Sequence, residues 1–159
     1  GYVERPRDTG WYAAFGALED AQRPGAVPYA ASGARFFGAT FDPSGLYRFN
    51  AVMDWLDAEN LTPEVIHAHV VRLQELFIEE LGKETVPLRE HQLVVPIAEK
   101  SRGQFLTFKT AAAADIHARL LAANVVNDVR GDRLHFGFGI YHDESDIGRG
   151  IARICSVLG

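Results

Sequence analysis

The amino-acid sequence predicts an α+β fold. Three observations point there: apolar residues recur every three or four positions through several polar stretches, short β-branched and aromatic runs lie between those stretches, and a turn signal joins two of the runs closely enough for an antiparallel pair. A chain of 159 residues with 47% apolar and 23% charged residues has a globular balance and the length to bury one good core.

Residues 1–43 hold four of the seven prolines and read as loop-rich. They also carry Trp11, Tyr12, Phe15, Phe36, Phe37 and Phe41, rings that gain by packing and that disordered linkers avoid. Leu46, Phe49, Met53 and Leu56 then fall on one face of a helix over 45–58. Thr62, Pro63 and Glu64 supply a cap, a first-turn proline and an early carboxylate for a second helix. Its apolar stripe is Ile66, Val70, Leu73, Phe77 and Leu81, and Gly82 stands where a left-handed residue would end it. Runs 93–95 and 104–108, bounded by Pro96 and by Arg102-Gly103, read as strands. The alanine-rich stretch 111–122, with Ile116 and Leu120 four apart, is a helix by propensity. Val125-Val126 and 134–138 make two further strands across the turn Arg130-Gly131-Asp132. A last helix over 143–158 carries Ile147, Ile151, Ile154 and Leu158 on one stripe, so helices face a small, mainly antiparallel sheet.

Composition narrows the function. No apolar run approaches the roughly 20 residues of a membrane span, so a soluble protein without a membrane partner is expected. A net charge of −5, with Lys and Arg scattered along the chain, argues against nucleic acid. The single cysteine, Cys155, has no internal disulfide partner and fits a reducing compartment, so a cytoplasmic location is expected. Gly1, followed by a segment with no helix or strand pattern, reads as a chain entered midway.

Familiar catalytic signatures are lacking. His67 and His69 lie two apart on a helix, point to different faces and read as solvated positions. With no HExxH, CxxC or EF-hand pattern, no metal site is expected. Ser44 sits in a turn without a nucleophile elbow, and Cys155, beside the closing apolar stripe, reads as a buried structural thiol. What remains is a pair of segments, Thr9-Gly10-Trp11-Tyr12 and 35–43. Glycine permits close backbone approach, and backbone amides, a threonine hydroxyl and an indole N–H all donate to phosphate oxygens. Alone each segment is weak, since a Gly-Trp pair is usually packing and a Gly-x-Thr usually a turn.

The order of Gly10-Trp11, then Arg35-Phe36 with Gly38 and Thr40 ahead of a proline and a helix, then a long helix, then Arg102-Gly103 with Phe105-Leu106, then Asp128-Val129-Arg130, then Phe136-Gly137-Phe138 with Tyr141, resembles the class V aminotransferases, nearest their kynureninase-like branch. The resemblance covers essentially the whole chain. It implies a fold-type I pyridoxal-phosphate enzyme whose Schiff-base lysine precedes Gly1, because Lys83, Lys100 and Lys109 match no lysine motif of the family. This chain alone is therefore expected to be inactive, with no catalytic residue of its own. By the same resemblance residues 1–43 are the tail of the large cofactor domain, 44–82 are bridging helices and 83–159 the small C-terminal domain.

Trp11, Gly38, Ala39 and Thr40 match positions that bind the phosphate of pyridoxal 5'-phosphate, often across a subunit boundary, which implies a homodimer. His135 stands where the family has an arginine that grips the substrate carboxylate. A neutral imidazole gives one donor where guanidinium gives a charged, two-pronged grip, so ordinary α-amino acids are expected to bind worse unless Arg133 or another residue substitutes; His135 reads equally as a plain strand residue with the carboxylate held elsewhere. Transamination of an amino-group substrate is the expected reaction, with kynureninase-type hydrolysis second and cysteine desulfuration disfavoured by the place of Cys155 in the closing helix. The alternative of another class is a non-catalytic α+β binding or dimerisation module.

Overall fold

The computed structural model describes residues 4–20 and 24–159; the first three residues of the opening segment and residues 21–23 lie outside the described residues. The chain divides into two compact units, one within Gly1–Trp55 and the other spanning Leu56–Gly159.

In the first unit two short 3-10 turns, Trp11–Ala17 and Gly33–Phe36, replace regular structure. Tyr12 packs its ring against Phe15 and stacks on Phe37, with centroids 4.7 Å and 5.9 Å apart, so the rings flagged by the sequence do cluster. Helix α1, Ser44–Ala58, starts where the Asp42 carboxylate accepts from the Ser44 amide. The Ser44 hydroxyl and then the Ser44 amide, both donating to it, hold the Asp42 carboxyl below its usual range. The helix bounds agree with the sequence pattern, yet Leu46, Phe49 and Met53 are exposed and only Leu56 of that stripe is half-buried.

The second unit is a two-layer α+β structure. Helix α2, Pro63–Gly82, opens with the Thr62 hydroxyl accepting from the Val65 amide and Pro63 in the first turn. Its buried face is Val70, Leu73, Phe77 and Leu81, the stripe read from the sequence. The sheet follows: β1, Phe105–Lys109, then helix α3, Ala113–Ala122, then β2, Asp128–Arg130, and β3, Arg133–Gly137. Strand order is β1-β3-β2, all antiparallel, so β3 is central and paired on both sides. Helix α4, Glu144–Leu158, closes the unit from an Asp143 cap.

Alternation along the strands sends Leu106, Phe108, Leu134 and Phe136 inward to meet α2, Ile116 and Leu120 of α3, and Ile147, Ile151, Ile154 and Leu158 of α4 in one core. Each such side chain, fully buried, contributes about 1.5–3 kcal/mol. The β2–β3 hairpin turns through Gly131 and Asp132, with Gly131 at φ +60, a left-handed conformation that suits the twist of a two-residue loop and that glycine adopts without strain.

A polar pair, Arg102 and Gln74, is built into this core. Arg102, 5% exposed, donates from Nε to Gln74 Oε1 at 2.6 Å, from Nη1 to the carbonyls of Ile97 and Glu99 at 2.6 and 2.9 Å, and from Nη2 to the Val71 carbonyl at 3.3 Å. Gln74, itself fully buried, donates onward to the Gly103 carbonyl at 2.9 Å. The guanidinium thus ties the segment before β1 to α2.

Several sequence expectations are corrected here. The 93–95 strand reduces to one bridge, Leu93 to Phe108, because Pro96 follows and cannot continue a ladder. Val125 and Val126 are not a strand: Asn124 turns the chain at φ 58, and pairing begins only at Asp128. Gly82 is the last helical residue and not a left-handed cap; Lys83, still right-handed, donates its amide to the Glu80 carbonyl, and the Glu84 amide donates to that of Leu81. His67 and His69 are half-buried, and their Nε2 atoms bond the backbone carbonyls of Lys100 at 2.7 Å and His142 at 2.9 Å.

Candidate functional site

The two segments singled out for phosphate binding meet in the first unit. The Gly10 amide donates to the Phe37 carbonyl at 3.1 Å, and the Thr9 hydroxyl reaches the Arg35 carbonyl at 3.0 Å. The approach is so close that a β-carbon on Gly10 would lie 1.8 Å from the Gly38 carbonyl oxygen, so position 10 admits glycine only. This clasp holds Gly10, the residue before Trp11, against Gly38, the first of the stretch Gly38, Ala39, Thr40.

That stretch is exposed, its three amides make no backbone hydrogen bond among the described residues, and a β-carbon on Gly38 would meet nothing within 4 Å. Trp11 is 54% exposed, with its ring edge-on to Tyr12 and Phe15. Three consecutive amides, a hydroxyl and an indole N–H are donors without competing carboxylates at those positions, a set whose chemistry fits a phosphate group.

The second set lies on the open face of the sheet. Arg133 and His135 are two apart on β3 and share that face, while Leu134 and Phe136 between and beyond them face the core. Register places Thr107 of β1 and Asp128 of β2 on either side of His135, and Lys109 and Arg130 on either side of Arg133. The Thr107 hydroxyl and His135 Nδ1 are 2.9 Å apart, whereas His135 Nε2 is shielded from solvent and has no hydrogen-bond partner among the described residues. Phe105 stands edge-on to the imidazole at 5.7 Å. Arg133 is exposed, Lys109 Nζ lies 3.8 Å from Asp132, and Arg130 Nε lies 3.1 Å from Asp128.

The sequence offered no sign of Thr107 or Asp128 as neighbours of His135, because that requires strand register, which residue pattern alone does not fix. The lysines of this chain are engaged: Lys83 pairs with Glu79 and Glu80, Lys100 with Glu75, and Lys109 lies near Asp132. Glu80 and then Glu79, accepting from Lys83, raise its pKa. Cys155 is half-buried, and burial followed by the nearby Glu84 carboxylate pushes its thiol pKa up, away from nucleophile character. Among the described residues no group of three metal-ligating side chains converges, and no helix is long and apolar enough to cross a membrane.

Residues 66–154, more than half of the chain, match the family described as the kynureninase C-terminal domain. Kynureninase of Deinococcus radiodurans is similar to this chain, 36% identical over 77 residues that make up 45% of this chain and 19% of that protein. The chain thus aligns with about a fifth of the length of the curated relative it matches.

Proposed function

This chain belongs to the kynureninase C-terminal domain family, and on that premise we propose that it serves as the carboxy-terminal part of a pyridoxal-phosphate-dependent hydrolase of kynureninase type, acting on an amino-acid substrate. The observation that carries this reading is the family match from α2 through α4, which takes in the open sheet face with Arg133 and His135. Hydrolysis takes precedence over the transamination expected from the wider family, because the matching family and the bacterial relative are both kynureninases.

When bound, pyridoxal phosphate supplies an electron sink for charge developing at the substrate α-carbon. In this reading Trp11, Gly38, Ala39 and Thr40 hold its phosphate through their amides, the Thr40 hydroxyl and the indole N–H. Arg133 and His135 orient the substrate carboxylate, Arg133 through a fixed charge and His135 through a single ring nitrogen. In this reading the covalent anchor falls to a lysine of a preceding large domain, since Lys83, Lys100 and Lys109 match no lysine motif of the family. Residues 1–43 then complete that large domain, 44–82 bridge to the small domain formed by 83–159, and two copies associate, as the exposed apolar residues of α1 favour.

The test is the visible absorption spectrum of the full-length gene product with pyridoxal phosphate, before and after borohydride, followed by kynurenine turnover. A band that borohydride abolishes, together with loss of kynurenine, is expected. No band would overturn the cofactor reading, and a band with amino-group transfer to a keto acid but no hydrolysis would move the reaction to transamination.

A further inference from the structure

Resting on the reading of His135 as a carboxylate-binding position, we propose that Thr107 is its positioning residue: the Thr107 hydroxyl donates to His135 Nδ1 and so holds the imidazole as the neutral tautomer that presents Nε2–H to a carboxylate oxygen.

The argument is one of proton accounting. Thr107 sits directly across from His135 in the β1–β3 ladder, with Oγ1 and Nδ1 2.9 Å apart. A threonine hydroxyl has one proton to give, and this one makes no other hydrogen bond among the described residues. Were Nδ1 protonated and donating to Oγ1, the hydroxyl proton would lack an acceptor, and the neutral ring would leave a shielded lone pair on Nε2 with no donor. With the hydroxyl donating to Nδ1, threonine and Nδ1 are both satisfied, and a single unmet group remains, the Nε2–H.

An unmet, shielded N–H calls for an acceptor, and the surroundings favour an anionic one. Lys109, Arg133 and Arg130 form a cross-strand row of three cations beside His135 on the same face; Asp132 lies 3.8 Å from Lys109 and Asp128 3.1 Å from Arg130, and Arg133 has no carboxylate partner among the described residues. Asp128, the carboxylate facing His135 from β2, is engaged by Arg130 Nε at 3.1 Å and does not bond the ring. Phe105 stands edge-on to the imidazole at 5.7 Å and is 53% exposed, so in this proposal it is the side chain that moves to admit an oxygen to Nε2.

The test is long-range ¹H–¹⁵N spectroscopy of the histidine rings in the labelled protein at neutral pH, with His135→Gln to assign the signal. The expected wild-type signal is one tautomer with the proton on Nε2. Thr107→Val, which keeps the shape and removes the hydroxyl, should convert it to a mixture of both tautomers, and Thr107→Ser should restore the single form. A wild-type proton on Nδ1 overturns the proposal even if the valine variant fails to fold, and so does a valine variant indistinguishable from wild type. Neither substrate nor cofactor is present, so this failure is distinct from a failure to bind pyridoxal phosphate.

Discussion

Replacing Arg102 with alanine removes the one charged side chain buried in the core of the second unit. The substitution strips the partner from four acceptors: Gln74 Oε1 and the carbonyls of Ile97, Glu99 and Val71. A hydrogen bond to a charged donor contributes about 1.5–3 kcal/mol. The four losses do not add in full, because water reaches the half-buried loop carbonyls and the charge leaves with the side chain. Gln74 Oε1 and the least exposed of the carbonyls are left without a donor at about 1–3 kcal/mol each, so a net loss of about 3–5 kcal/mol follows. In a unit of this size that lowers Tm by more than about 10 °C. The assay is urea unfolding followed by circular dichroism, with Glu75→Gln as the control. Glu75 is 44% exposed and 3.8 Å from the guanidinium, so its neutralisation should cost less than about 1 kcal/mol. An Arg102→Ala loss below about 1 kcal/mol, or one matched by Glu75→Gln, would refute the view that the backbone carbonyls and Gln74 are what the guanidinium holds.

Gly10→Ala should open the clasp, because its β-carbon would sit 1.8 Å from the Gly38 oxygen, and should weaken pyridoxal-phosphate binding by the full-length protein, read from the visible band; unchanged affinity would dissociate the clasp from the phosphate site. His135→Arg should tighten binding of common α-amino acids about tenfold or more, by adding a charge-assisted hydrogen bond, with calorimetry as the check. The Asp143 carboxyl, held below its usual range by the Ser145 hydroxyl and the Asp146 amide, favours folding above the unfolded value of about 4; that contribution is lost as pH falls through the depressed folded value. Asp143→Asn should therefore flatten the acid side of the stability profile, measured as urea midpoints from neutral pH down to pH ~3. Cys155, with its thiol pKa raised first by burial, should react with iodoacetamide near pH 8 more slowly in the folded than in the urea-unfolded protein.

The helices were readable because their apolar spacing records the face they bury. For α2 and α4 the stripes Val70 to Leu81 and Ile147 to Leu158 are the residues that reach the core. The same spacing misleads at α1, whose pattern is as regular but whose Leu46 and Phe49 are exposed, since periodicity reports a face and not what covers it. Short strands were harder. Val125-Val126 has higher β-propensity than Asp128-Val129-Arg130, yet the latter pairs, because the two-residue turn at Gly131 counts back from β3 and fixes where the partner strand can lie. At the site, residue types marked Gly10, Gly38 and His135, but the 1.8 Å constraint and the Thr107 neighbour arise from long-range pairing that no local pattern encodes.

Strand β3 divides its labour by parity. Its even positions, Leu134 and Phe136, are committed to the core, while its odd positions, Arg133 and His135, face away from it, and ladders on both flanks hold the backbone between them. On the proposed reading, ligand preference and foldability are thereby written on interleaved letters of one five-residue word. Exchanging arginine for histidine at 135, or varying 133, then leaves the core side chains Leu134 and Phe136 in place, so a change of substrate is open to single substitutions. The same freedom is available by design: residues 133 and 135, with 105 and 107 across the ladder, form a compact library whose variants should keep the fold while altering what it holds.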